Sequence, residues 1–198
     1  MWIYEIGVAK YFSEDKKKNN AVEFYNFFSP KGLTLESICG MLGNIEREST
    51  LNPGIKQTTS TSSGWGLIQW TPSTDLTNWC KKYRYNWYDG TAQCIRINAE
   101  GERTMDAEGV WLPTTAYPYS WDEFKALTDV NEATKAYLYE RERAGVEALD
   151  LRLEYANKWY EYLGGQPSPP EPPEPPEPPH PTPVEKRKFP WWMCLKKF

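Results

Sequence analysis

From Pro167 to Pro183 the chain repeats Glu-Pro-Pro. Proline fixes φ and lacks an amide donor, so neither a helix nor an interior strand can pass through this stretch. The repeat predicts an extended polyproline II rod of roughly 50 Å, at about 3.1 Å per residue. Any packed core must therefore come from residues 1–165, a length that suits one domain. Residues 166–185 form the linker, and residues 186–198 form a short tail. The tail, Lys186 to Phe198, combines five bases with Phe189, Trp191, Trp192, Met193, Leu195 and Phe198. That mixture suits adsorption to an anionic membrane surface. Proline-rich rods also bind SH3-like domains, but a spacer is the plainer reading.

Within residues 1–165 the apolar spacing is helical. Ala21, Phe24, Tyr25 and Phe28 mark one side of a helix over Asn20–Phe28, closed by Ser29-Pro30-Lys31-Gly32. Thr34 reads as an N-cap with Glu36 in the first turn. Ile38, Met41, Leu42 and Ile45 follow at helical spacing up to Asn52-Pro53-Gly54. Residues 55–68 leave a hairpin and an irregular loop both open. Helices are expected from Ser73 to about Arg84, weakly over 91–103, from an N-cap at Thr128, and after Gly145 to Gly164-Gly165. Residues 104–120 read as loop. The expected class is mainly α, with a small irregular or β-like lobe, followed by the extended linker and tail.

Composition excludes several roles. The acids Glu171, Glu174, Glu177 and Glu185 and five bases lie beyond residue 165. Removing them from 27 acids and 23 bases leaves 23 and 18, a net of −5 for the domain. Nothing there points to a nucleic-acid partner. The lone histidine, His180, sits among prolines, and the four cysteines form no metal-ligand pattern, so neither a metal nor a cofactor is expected. Cys39 reads as a buried thiol; a Cys80–Cys94 bridge is not decidable from sequence. No apolar run reaches the roughly 18 residues of a membrane span, and no secretory signal pattern is visible at the start.

Three acids crowd the second helix. At about 100° per residue Glu48 continues the stripe of Met41 and Ile45, whereas Glu46 and Arg47 are expected to face water. A carboxyl at the edge of an apolar face loses hydration and holds its proton more tightly. A general acid that protonates a glycosidic oxygen needs that property. The alternative is a helix-end acid turned to solvent.

Cys39-Gly40-Met41-Leu42-Gly43-Asn44, with Glu48-Ser49-Thr50 and Asn52-Pro53-Gly54, resembles the catalytic helix of the phage tail lysozyme family. Gly64-Trp65-Gly66-Leu67-Ile68-Gln69-Trp70-Thr71-Pro72 is similar to that family's second motif. The Glu-Ser and Gly-Leu-x-Gln elements are also similar to goose-type lysozymes and lytic transglycosylases. A weaker third block is Tyr139-Glu140-Arg141 with Arg152, Ala156, Trp159 and Tyr160. The resemblance implies a lysozyme-like fold and a peptidoglycan hydrolase cutting the β-1,4 link between N-acetylmuramic acid and N-acetylglucosamine. It makes Glu48 the catalytic acid and Gln69 a residue of the sugar cleft. It also implies a place in a phage tail or infected host, with bacterial peptidoglycan and other phage tail proteins as partners.

Bottom-up reasons accompany these assignments. Gly64 and Gly66 permit positive φ and a close approach of backbone to ligand, although a tight turn without ligand needs the same. Trp65, Trp70 and Trp111 are candidates for stacking on sugars, against the simpler role of filling a core. Glu140 and Arg152 are expected to pair with each other. No acid lies between Glu48 and Asp75, so the usual second carboxylate is missing. Gln57 and Ser63 stand where water could be oriented instead. Hydrolysis without a second acid and lytic transglycosylation both remain open, as do an endolysin role and a non-catalytic wall-binding module.

Overall fold

A computed structural model describes residues 1–58, 63–107, 110–143 and 148–164. Among these are seven α-helices and one three-stranded sheet. In chain order they are β1 (Gly7–Val8), α1 (Glu14–Phe28), α2 (Leu35–Ser49), β2 (Ile55–Thr58), β3 (Ser63–Trp65), α3 (Thr74–Tyr83), α4 (Gly90–Glu102), α5 (Trp121–Lys125), α6 (Val130–Tyr137) and α7 (Leu149–Gly164). A π-helical turn, Leu138–Glu142, continues α6. The fold is mainly α with a small β lobe, as the sequence pattern implies. The linker and tail lie outside the described residues, as do Gly109 and Gly145.

The centre of the domain is α2. Thr34 caps it by accepting from the Ser37 amide at 3.1 Å. Ile38, Met41, Leu42 and Ile45 are fully buried, and α6 and α7 pack along the helix. Gly40 and Gly43 make this packing close. A Cβ on Gly40 would meet the Ala133 carbonyl carbon at 2.7 Å, and one on Gly43 would meet the Ala156 Cβ at 2.8 Å. The two glycines thus bring the backbones of α6 and α7 onto α2.

One expectation fails because α2 is covered on more than one side, and another because α1 begins earlier than its apolar spacing suggests. Glu46 is 2% exposed rather than solvated. Its Oε1 accepts from Lys17 of α1 and Lys158 of α7, both at 2.7 Å. A wheel with one apolar stripe assumes one packed face, whereas α1 and α7 enclose the polar side as well. Arg47 is exposed as expected. The first helix starts at Glu14, just after Ser13, because its opening turns carry charges that pair rather than pack. Lys16 pairs with Glu5, and Lys17 with Glu14.

The β lobe settles the hairpin question. β2 and β3 are antiparallel, with Lys56 opposite Trp65, Gln57 opposite Gly64 and Thr58 opposite Ser63. β1 adds to β2 in parallel and belongs to an N-terminal strap. Two buried asparagines fasten this strap. Asn20 accepts from Ile3 N at 2.9 Å and donates to Ile3 O at 2.8 Å. Asn52 accepts from Glu5 N at 3.0 Å and donates to Glu5 O at 2.9 Å and Lys10 O at 2.7 Å. At α6 the cap is Asp129 rather than Thr128, accepting from the Asn131 and Glu132 amides. Cys39, Cys80 and Cys94 are buried free thiols, so Cys80 and Cys94 form no bridge.

Candidate active site

Glu48 lies in the last turn of α2, just before Thr50 ends the helix in the left-handed region at φ 53°. Its side chain is 21% exposed. Oε1 accepts from Arg152 Nη2 of α7 at 2.6 Å. The Arg152 side chain is 1% exposed. Its Nη1 donates to Asn44 Oδ1 at 3.0 Å, while Asn44 Nδ2 donates to Gly40 O at 2.8 Å and Thr134 O at 3.0 Å. Asn44 therefore ties α2, α6 and Arg152 into one polar network inside the core. Glu140 does not pair with Arg152 as expected: its Oε1 accepts from the Tyr119 amide at 2.9 Å. The π turn sets Glu140 against the 110–120 segment and leaves Arg152 to Glu48.

A second charged network lies behind the hairpin. Glu100 accepts from Trp70 Nε1 at 2.7 Å, Arg96 Nε at 3.2 Å and Arg141 Nη2 at 2.8 Å. Trp70 is 4% exposed, so its ring belongs to the core and offers no face to a groove. Trp111 is equally buried and packs on Trp121 and Phe124, with Nε1 donating to Tyr119 O at 3.0 Å. Trp65 is half-buried, 4.7 Å from Trp87 between ring centroids, with Lys56 Nζ 3.9 Å from its own centroid.

The motif glycines serve the turn between β3 and Trp70. Gly66 has φ 82°, and a Cβ there would meet the Gln93 amide at 2.8 Å. Gln69 has φ 50°, is 9% exposed, and donates from Nε2 to Gly66 O at 2.8 Å. Its buried Oε1 has no partner among the described residues. Gln57 is exposed on β2. Ser63 is half-buried on β3, its hydroxyl 2.9 Å from that of Ser73. Gln93 was not singled out by sequence reasoning. It accepts from Leu67 N at 2.7 Å and donates to Pro53 O at 2.8 Å and Trp87 O at 2.5 Å, holding the motif loop to the end of α2. A buried glutamine in a weakly helical stretch carries no sequence signal by itself.

One further carboxyl, Glu142, was also missed as a site neighbour. Burial pushes Glu142 above the usual carboxylate range. Arg141 opposes this, Glu48 adds to it, Arg152 opposes it and Glu100 adds again. Its buried Oε1 has no partner among the described residues. Glu140 is raised to about 8 by burial, against the Tyr119 amide bond and with a small push from Glu123. The fold thus brings Glu142 near Glu48 although 94 positions separate them in the sequence. Among the described residues no cluster of side chains suits a metal ion, and no helix is long and apolar enough to cross a membrane.

Residues 19–163 match the family model described as phage tail lysozyme. The chain is also similar to Morphogenesis protein 1 of Bacillus phage B103, with 34% identity over 162 residues. That match covers 80% of this chain and 43% of the relative, so the chain spans less than half the length of the curated protein it matches. With Glu48, the glycine-spaced α2 and the turn holding Gln69 all inside the matched span, the chain belongs to the phage tail lysozyme family.

Proposed function

We propose that this domain cuts the glycan strands of bacterial peptidoglycan by hydrolysis, with Glu48 as the general acid. One observation supports the reading: the glutamate that the motif resemblance assigns as the acid is part-exposed and held at one oxygen by a buried arginine. Arg152 holds the carboxyl at Oε1 and so orients the other oxygen, Oε2. That oxygen is the one to deliver a proton to the glycosidic oxygen. As the C–O bond breaks, the departing sugar keeps that oxygen as a hydroxyl. A water then adds to the anomeric carbon and releases a proton to solvent, from which the Glu48 carboxylate is reprotonated, so the products are a reducing end and a free hydroxyl.

The hairpin is the natural holder of that water. Gln57 and Ser63 stand on paired strands beside the turn of Gln69, Gly66 and Trp65. The expected linkage is the β-1,4 bond between N-acetylmuramic acid and N-acetylglucosamine, and the expected setting is the phage tail acting on the host wall. The rod and the tail Lys186 to Phe198 are read as a spacer and an anionic-surface contact. Deleting residues 186–198 should weaken binding to anionic liposomes and spare activity on purified glycan; unchanged liposome binding would remove that contact.

A second reading has its own support, because the hairpin residues described carry no carboxylate. In lytic transglycosylation the sugar's own 6-hydroxyl attacks and no second acid is needed. Mass spectrometry of peptidoglycan digests separates the two. Reducing ends that vanish in Glu48→Gln support hydrolysis. Anhydro ends, lighter by one water, would replace hydrolysis by transglycosylation. Digestion that persists in Glu48→Gln would overturn the assignment of the acid.

A further inference from the structure

The strap and the start of α4 enclose a surface pocket of about 390 Å³, away from Glu48. Its volume falls within the roughly 300–1,000 Å³ of small-molecule sites. Trp2, Tyr4 and Tyr88 supply aromatic walls, and Asn86, Asp89 and Thr91 supply polar edges. We propose that this pocket is a second carbohydrate site that holds an N-acetylated sugar of a glycan strand, beyond the reacting bond.

The pocket is built rather than incidental. Trp2 lies against the backbone of Gly90, where any Cβ would overlap its indole ring. The strap that carries Trp2 and Tyr4 is fixed on both edges by Asn20 and Asn52. Rigid aromatic side chains bind at low entropic cost, because little motion remains to be lost. Tyr4 is 49% exposed and Tyr88 half-buried, with centroids 4.9 Å apart and planes tilted by 39°. Two rings in contact leave no gap for an ammonium group, so they form a ledge rather than an aromatic cage. A pyranose ring presents a flat C–H face that lies on such a ledge, while its hydroxyl and acetamido groups need polar partners at the edge.

Those partners are present. Neither the Asn86 amide nor the Tyr4 and Tyr88 hydroxyls bond to any described residue, and Asn86 is exposed. Glu23 is engaged by the Met1 amino group, and Asp89 Oδ1 caps α4 through the Thr91 amide at 2.8 Å. The acids therefore have partners already, which favours an uncharged ligand over a cationic one. The ledge also continues toward the hairpin. Tyr88 meets Trp87 at 5.7 Å, and Trp87 meets Trp65 at 4.7 Å under Lys56. A polymeric glycan lying along β3 would reach the pocket.

The test is a titration of the full chain, ¹⁵N-labelled at its tryptophans, with tri-N-acetylchitotriose, in wild type and in Glu48→Gln. The Trp2 indole signal, assigned with Trp2→Phe, should shift saturably in both. Tyr88→Leu, which keeps apolar bulk, combined with Asn86→Ala should weaken that binding roughly three- to tenfold, in keeping with the loss of one stacked ring. Turnover of a short soluble substrate should stay unchanged. A Trp2 signal that stays still while other tryptophans move would overturn the site. So would a signal that moves with tetramethylammonium but not with the sugar. Because binding is read without turnover, failure of the Glu48 assignment would appear separately, as activity in Glu48→Gln.

Discussion

Arg152 Nη2 and Glu48 Oε1 meet at 2.6 Å, joining residues 104 positions apart in the chain. The arginine is wholly enclosed and the glutamate only partly so, which makes Arg152 the fixed member and Glu48 the presented one. The two should respond differently to substitution. Glu48→Gln keeps an acceptor for Arg152 and should leave stability within about 1 kcal/mol, while loss of the proposed general acid should lower the rate roughly 10²–10⁴-fold. Arg152→Met strands Asn44 Oδ1 and frees Glu48 to turn to water. It should cost about 2–3 kcal/mol in urea unfolding and lower activity as well. Equal loss of stability in both variants would mean that the pair is structural only.

The proposed role of Glu48 as the acid comes from the motif resemblance, and its placement at the edge of the apolar stripe was legible from helical spacing. Its partner was not, because a buried arginine has no periodic signature, and Glu140 seemed the nearer match to Arg152. Glu46 was misjudged for a related reason: a helix packed by α1 on one side and α7 on another has no free polar face. Trp70 illustrates the limit of composition. Its indole N–H needed a buried acceptor, and Glu100 supplies one from α4, 30 positions away. Local signals found most of the helices and the cap at Thr34, but not α5 (Trp121–Lys125), while pairings between distant elements required the fold.

Gly43 sets how closely α7 approaches α2. A methyl group there would overlap the Arg152 carbonyl oxygen and press on Ala156. Gly43→Ala gains helix propensity of about 1 kcal/mol, yet overpacking of a rigid backbone contact costs about 1–3 kcal/mol or more. The net change should be destabilising, and activity should fall further than stability because Arg152 moves with α7. A variant more stable than wild type by thermal melting would refute the close contact.

Gln93 bonds three separate segments through one amide. Gln93→Leu keeps the bulk but leaves Leu67 N, Pro53 O and Trp87 O without their partner. The expected loss is roughly 2–4 kcal/mol, since unsatisfied buried groups cost about 1–3 kcal/mol each and some will find water. The turn of Gly66 and Gln69 should loosen first. Amide hydrogen exchange at Leu67 should therefore accelerate more than exchange in α2.

Glu142 and Glu48 repel when both are ionised, with Arg141 and Arg152 between the two effects and Glu100 adding to the negative side. As pH rises, ionisation of Glu142, held above the usual carboxylate range by burial, puts another negative charge near Glu48. Glu142→Gln removes that charge. Its pH–activity profile should differ from that of wild type on the alkaline side, where Glu142 ionises, with little change at acid pH. Superimposable profiles would show that Glu142 does not act on the reaction.

Glu140 links stability to pH. Its carboxyl is fully buried and raised to about 8, from an ordinary value of 4.5 that applies when the chain unfolds. Between those values the folded state holds the proton and the unfolded state has released it. Stability therefore falls as pH rises from about 4.5 toward 8, and the contribution of neutral Glu140 is complete only below that window. Glu140→Gln mimics the protonated acid, still accepts from the Tyr119 amide, and has nothing to ionise. The melting temperature of wild type should drop between pH 5 and pH 8 by more than that of Glu140→Gln, the gap corresponding to a few kcal/mol at most. Parallel curves across that range would place the titration of Glu140 outside it.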